Sequence, residues 1–456
     1  MADPCNNNQY RIRQLLTEEE QTCNVPEYLT NASGGLEVQV GQTMDAEVEM
    51  FENDVAKASL TRSAKIPKSV KGNLSFNALL KNSGSLTTEP AVLTELRGCG
   101  TASVQTQLLE ISNVAGGSFS IGDVVVSASA SGVVVFEAQE GKSEIFVTST
   151  DTFVASEGIT SGGVSADVDV ASLGGYMVAP VSGNFTRHTK RSEEDGFSKE
   201  MNGACGTFSI QGNANEPLNA QFTFMGRVPN DRQQLTGAVT GTFAQGEEVT
   251  DGAGNVGVVV KAYVDGDAYF IYRMVSGLTA GFPNATAITG STSGATATTS
   301  SVAYKPFGTR PMTTGTTPET GNPPILQHAG LEYEGFTPSV SAFTFDIANE
   351  VVVQQDFNAV WGLAPATINA REPVYSIDPL VFNDSDYAIY DKWRAGAIGN
   401  GFGLTAGTEK GNRVFIYIDN HQTQNITDGD REGSCIFNIE GMALGLDDAE
   451  FYILFC

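Results

Sequence analysis

Three histidines and six cysteines hold most of the chain's capacity for acid–base, metal or nucleophilic chemistry. His188, His328 and His421 each stand alone. None has a second histidine or a glutamate at the spacing by which a helix or strand presents two metal ligands. They read as surface histidines. Cys5, Cys23, Cys99, Cys205, Cys435 and Cys456 form no Cys-x-x-Cys pair and no metal-ligand set, so reduced thiols in a bacterial cytosol are expected. Asp265-Gly266-Asp267 and Asp428-Gly429-Asp430 supply too few oxygens for a calcium loop and read as hairpin turns. Gly399-Asn400-Gly401 likewise reads as a turn. No nucleophile elbow, phosphate loop or dinucleotide-binding glycine pattern occurs. The expectation is therefore no enzyme, no cofactor and no metal.

Charge excludes further classes. The 456 residues carry a formal charge of −27, which repels nucleic acid and anionic membranes. Two meanings stay open: plain solubility, or a surface that a polyanion must pass without sticking. Arg187-His188-Thr189-Lys190-Arg191 is the one basic cluster and reads as a polar face. Glu18-Glu19-Glu20 and Glu193-Glu194-Asp195 read as solvated runs. No apolar run reaches membrane-spanning length, and the N-terminal stretch has no apolar segment of a signal peptide. A soluble protein, intracellular at synthesis, is expected.

The elements that would position these residues are mostly strands. Fifty glycines and many Val, Thr and Ser residues favour short strands and tight turns. Two helices are expected. One lies in TTEPAVLTELRG, with Thr88 as N-cap, Pro90 in the first turn and Gly98 as stop. The other lies in DSDYAIYDKWRAG, with Asp384 or Ser385 as cap and Gly396 as stop. Residues 44–55 alternate Asp45, Glu47 and Glu49 with Ala46, Val48 and Met50, which gives a strand one acidic and one apolar face. Residues 70–80 can pair with it, and residues 343–356 are the comparable place later in the chain.

Two internal repeats organise the chain. Gly203, Cys205, Phe208, Ile210, Gly212, Ala220 and Phe222 match Gly433, Cys435, Phe437, Ile439, Gly441, Ala449 and Phe451. Gly35-Leu36-Glu37 resembles Gly330-Leu331-Glu332. Leu96-Arg97 and Trp393-Arg394 end the two helices at matching places. A smaller repeat joins FSIGDVV at 119–125 to FAQGEEV at 243–249, Gly132–Val135 to Gly257–Val260, and Ser161-Gly162-Gly163 to Ser293-Gly294-Ala295. The expected domains are an arm at 1–32, a core domain at 33–112 plus 180–232, an inserted β-module at 113–179, a second β-module at 237–304, an extended Pro/Gly/Thr-rich linker at 305–327, and a second core domain at 328–456.

The order of the acidic hairpin, GNLSFNALLKNSGSLTTEPAVLTELRGCG, NFTRHTKRSEEDGFSKEMNGACGTFSIQG and AQFTFMG resembles the two-domain tail tube (major tail) proteins of long-tailed phages. INAREPVYSIDPLVF, GNRVFIYIDNHQTQNITDGDREG and DAEFYILFC extend that likeness through the second half. The resemblance implies two duplicated tail-tube β-sandwiches, each with a short helix and a long hairpin. The 60-residue modules depart from the plain tube domain and are expected to project outward. It further implies homotrimeric, pseudo-hexameric rings stacked into a virion tail tube, assembled in the host cytoplasm. The partners would be the chain itself, a tape measure protein and other tail proteins, with transient passage of DNA and no membrane. Asp45, Glu47 and Glu49 would face an acidic lumen. A capsid decoration protein and a carbohydrate-binding adhesin module are the alternatives.

Overall fold

The computed structural model describes residues 13–21, 29, 36–52, 65–120, 122–137, 144–183, 185–194, 197–228, 232–263, 268–276, 282–304, 307–309, 321–327, 329–358, 362–382, 388–445 and 448–456. The chain is mainly β, with antiparallel sheets and two short helices. His328 and Asp265-Gly266-Asp267 lie outside the described residues.

The first half is built on three long strands. Ile66–Leu79, Asn219–Arg227 and Phe197–Asn213 lie side by side, with Phe76 opposite Phe222 and Phe222 opposite Phe208. Their even-numbered residues, Leu74, Phe76 and Ala78, alternate inward, as a period of two requires. The sheet does not end there. Phe197–Asn213 also pairs with Ala342–Asp346, then come Val374–Ile377, Ser434–Leu444 and Val414–Arg431. The C-terminal strand Tyr452–Phe455 returns to Val164–Pro180 of the first half. Gly175 is required at that joint: its φ is +99°, and a Cβ there would lie 1.9 Å from the Phe455 carbonyl oxygen. One apolar core runs through both halves, from Leu74 and Phe222 to Phe345 and Phe451. Ala449 and Phe451, matched in sequence to Ala220 and Phe222, have different surroundings. Asn219–Arg227 pairs directly with Phe197–Asn213, whereas Tyr452–Phe455 and Ser434–Leu444 are both neighbours of Val414–Arg431 and not of each other.

The helices sit near their expected places. α1 is Val92–Arg97 and α2 is Ile389–Ala395. Gly396 ends α2 with φ +61°, as the stop signal implies. Thr88 does not cap α1; Ala91 stands at the cap without a side-chain bond. Pro90 disfavours helical geometry at Glu89, so the helix begins after it. Asp384 and Ser385 lie outside the described residues.

Two smaller cores stand apart from the main one. Thr101–Ala115, Val124–Val126, Ser131–Glu137, Glu144–Thr148, Gly158–Ser161 and Val164–Pro180 pair first with sixth, first with fourth, third with fourth, second with third, second with fifth, and fifth with sixth. The strands Arg232–Thr240, Glu248–Thr250, Val256–Tyr263, Ala268–Ser276, Ala287–Gly290 and Thr296–Tyr304 repeat that order as a closed barrel. Their cores correspond in chain order: Phe119, Val125, Val134, Phe153 and Ile159 in one, Phe243, Val249, Val259, Phe282 and Ile288 in the other. The backbone donors agree too. The amides of Gly122 and Gly246 reach the carbonyls of Val134 and Val259. By these pairings Gly163 corresponds to Gly294, one residue off the alignment of Ser161 with Ser293.

Several polar stretches are not where composition suggests. His188, Thr189, Lys190, Arg191, Ser192 and Glu193 are all buried in the strand His188–Glu194, so neither the basic cluster nor Glu193 is a solvated face. The cause is cover. Arg13–Glu19, expected in a free arm, pairs along one edge of that strand and Phe197–Asn213 along the other. His421 is buried as well. Glu18, Glu19 and Glu20 are half-buried: Glu19 pairs with Arg97 at 2.5 Å, and Glu20 accepts from the Gly203 amide at 2.6 Å. Asp428 and Asp430 lie within Val414–Arg431, and the turn falls at Glu432 and Gly433, whose φ values are 53° and 84°. Gly399-Asn400-Gly401 opens the strand Gly399–Ala406 and is not a turn. Of the expected linker, Phe307–Thr309 pairs with Phe197–Lys199, and Ile325 bridges Pro217.

Candidate assembly surface

The acidic stretch forms the strand Thr43–Phe51, paired antiparallel with Ile66–Leu79 as expected. Asp45, Glu47 and Glu49 stand opposite Asn73, Lys71 and Ser69 on one face. Ala46 and Val48 stand opposite Gly72 and Val70 on the other. The base of this hairpin is anchored: Met44 is buried, and Lys199 Nζ donates to its carbonyl at 2.8 Å. Beyond Met44 the core stops. Asp45, Ala46, Glu47 and Val48 are all exposed, and Val48, Met50 and Phe51 show 41%, 47% and 51% of their surface. The expected apolar face therefore exists but is not covered within one chain. Among the described residues, the outer edge of Thr43–Phe51 pairs with no strand.

The three carboxylates are not equivalent. Asp45 and Glu47 are exposed. Glu49 is half-buried, 2.9 Å from Lys71 Nζ, and accepts from Gln355 Nε2 at 3.0 Å. A solvent-accessible pair of this kind contributes about 0–1 kcal/mol, so its role is to orient the hairpin, not to hold the fold. Further out, Glu52 meets Lys65 at 2.6 Å, and this ammonium holds the Glu52 carboxyl below its ordinary range.

The later comparable stretch folds differently. Phe343 and Phe345 are core residues of the central strand Ala342–Asp346, and only Asn349–Val352 forms a ribbon, with Thr367–Arg371. That ribbon packs on the first half: Val353, Leu363, Ala366 and Ile368 cover Cys205. The Ala366 amide donates to the Gly203 carbonyl at 2.8 Å, and Arg227 Nη1 donates to that of Leu363 at 2.9 Å. Gln355, within the stretch 343–356, is thereby brought to Glu49.

Beneath this surface lies a buried ionic cluster that isolated motifs could not show. Lys190 and Glu95, both without exposure, form an ion pair. Thr17 Oγ1 accepts from Lys190 Nζ at 3.0 Å, and the ammonium lies 3.8 Å from the Phe224 ring centre. Burial lowers the Lys190 pKa, against the opposing pull of Glu95. His188 sits beside it with neither ring nitrogen bonded, and burial, then the charges of Lys190 and Arg97, push its pKa well down. A second polar group surrounds His421: Tyr375 Oη lies 2.8 Å from Nδ1, and Tyr333 Oη 2.8 Å from Thr423 Oγ1. Both groups are sealed by packing and have the character of structural networks. Among the described residues no group of histidine, cysteine, aspartate or glutamate could hold a metal ion. Cys99, Cys205, Cys435 and Cys456 form no disulfide. No helix among the described residues is long and apolar enough to cross a membrane.

No protein-family model matches the chain, and no curated protein matches its sequence significantly.

Proposed function

We propose that the chain is a structural subunit that polymerises through its edge strands into a tube, in the manner of a phage tail tube. The observation that carries this reading is the hairpin Thr43–Phe51/Ile66–Leu79. It projects past its core with exposed Val48 and Met50, and among the described residues its outer edge pairs with no strand. Proteins that stay monomeric blunt such edges, whereas ring closure satisfies them. The occupant proposed for that edge is another copy of the chain.

On this reading the exposed Asp45 and Glu47, with Glu49 tethered behind them, line a lumen that repels phosphate, and DNA passes without being held. The sequence repeat and the two helices ended by glycines support two tube-type units per chain, and hence three chains per ring. The matched strand order of residues 101–180 and 232–304 supports a duplicated accessory module, which on this reading sits outside the wall. The chain then acts in the virion tail, with itself and other tail components as partners.

Negative-stain microscopy and mass measurement of the purified protein test this. Tubes of uniform bore built from three-chain rings are expected. Closed oligomers that do not stack would reject the tube and favour a decoration protein, and a six-chain ring would reject the two-unit count. In a tube map, Asp45 and Glu47 on the outer wall would overturn the lumen assignment.

A further inference from the structure

Phe357 is fully exposed, at 107% of its reference surface. It is not on a loose tail. The described residues beside it are fixed by a bridge between Gln355 and Leu363, by the Asp356 amide on the Gly362 carbonyl at 3.0 Å, and by the Asn358 amide on Asp356 Oδ1 at 2.8 Å. A benzyl group held in water beside these bonds is, among the described residues, an apolar knob without a hole.

Among the described residues there is also a hole without a knob. A pocket of about 270 Å³ is lined by Leu326, Leu331, Val340, Phe343 and Leu404, with exposed Ala214 at its mouth. A cavity of about 150 Å³ is enough to take up benzene, so this one accommodates a phenylalanine side chain.

Knob and hole lie along one strand, the knob near its middle and the hole at its C-terminal end. The segment after Phe357 is fastened to Gly203, while the pocket begins at Gly212 of the same strand, Phe197–Asn213. Nine residues of strand, about 30 Å of extended chain, separate Gly203 from Gly212. Gln355 reaches still further out, to Glu49 of the projecting hairpin. Phe357 therefore cannot fill the pocket of its own chain. Another copy placed head to tail can present one to the other, and a heterologous contact of this kind repeats without closing.

We propose that Phe357 of one copy inserts into the Leu326–Phe343–Leu404 pocket of the next, as the axial contact between stacked rings. The occupant is a second copy of this chain, and the proposal rests on the polymer reading above. Area sets how the contact works. One aromatic side chain buries about 150–250 Å², far below the roughly 1,200 Å² of a stable two-body interface. Single chains are not held by it; rings that engage several knobs at once are.

The test uses the full chain and two variants, Phe357→Ala, which removes the knob, and Ala214→Trp, which fills the mouth of the hole at an exposed position. Each is expected to form rings of wild-type mass while raising the critical concentration for stacking by about 10- to 100-fold. Mixed together, the intact knob of Ala214→Trp meets the intact pocket of Phe357→Ala, and short capped stacks of two ring layers form. That complementation separates a lost contact from a lost fold. A Phe357→Ala protein that stacks within about twofold of the wild-type concentration overturns the contact while leaving the tube reading intact. Loss of stacking in Ala214→Trp alone assigns the pocket to a different plug and also overturns it. Wild-type protein that forms no stacks at all removes both.

Discussion

His421 and Lys190 are single residues on which the fold makes opposite demands. Burial lowers the His421 imidazole from its ordinary 6.5 to about 4, against the upward pull of Glu334. The unfolded chain takes up a proton below about pH 6.5, and the folded chain does not until about pH 4. Stability therefore falls as pH drops through that window, by about 3 kcal/mol, and His188 adds to the fall in the same direction. Urea midpoints followed from pH 7 to pH 5 are expected to decline, and His421→Gln to flatten the decline. An unchanged slope in that variant would show that other groups carry it. Lys190 stays paired instead. Glu95→Ala leaves its ammonium buried without its counter-charge, and a loss of about 3–5 kcal/mol is expected by denaturant unfolding. Neither role was legible beforehand. An isolated histidine gives no signal of cover, and Glu95 is far from Lys190 in sequence.

At the scale of elements, the two six-stranded units differ in one carboxylate. Asp123 Oδ2 accepts only from the Ser120 amide among the bonds it shares with its counterpart, while Glu247 accepts from Ala244, Thr292 and Ser293 amides and from the Ser293 hydroxyl. Burial alone would raise the Glu247 pKa; those donors outweigh it and hold the carboxyl below its ordinary 4.5. This stabilisation is present above the unfolded value and is lost as pH falls through the folded one. Glu247→Ala is expected to cost about 2–4 kcal/mol, read as lower thermal stability of residues 232–304 in hydrogen exchange. Arg232 and Tyr304 are register partners, so the ends of this barrel are adjacent. Excising residues 233–303 across a short glycine–serine join is expected to leave the rest folded with its polymer intact. A collapse of the main core on excision would mean that the barrel is part of it. The alternation in 119–135 and 243–260 made these strands legible. The one-residue slip at Gly163 was not, because two adjacent small residues fit either alignment.

Among the described residues, two strand joints connect the halves of the main sheet, Phe197–Asn213 with Ala342–Asp346 and Val164–Pro180 with Tyr452–Phe455. Gly175→Ala strikes the second, where the added methyl would overlap the Phe455 carbonyl. Loss of soluble protein, or a fall of several degrees in Tm, is expected; an unchanged Tm would show that this joint adds little. At the same scale the exposed hairpin predicts salt-dependent behaviour. Asp45→Lys with Glu47→Lys is expected to leave polymer formation in place while making the assembled protein retain DNA at low salt. No retention would argue that these carboxylates do not face the passing strand.

Strand content, the acidic alternation at 45–49 and both helices were determined by sequence alone. Each depends on spacing within a few residues, where backbone geometry leaves little choice. Tertiary structure decided which faces are covered. It buried His188–Glu193 under a strand from near the N-terminus, left Val48 and Met50 open to solvent, and drew Gln355 to Glu49. It also set Phe357 and the Leu326–Phe343–Leu404 pocket far apart along one strand. Burial depends on what distant segments bring together, and no local pattern encodes that.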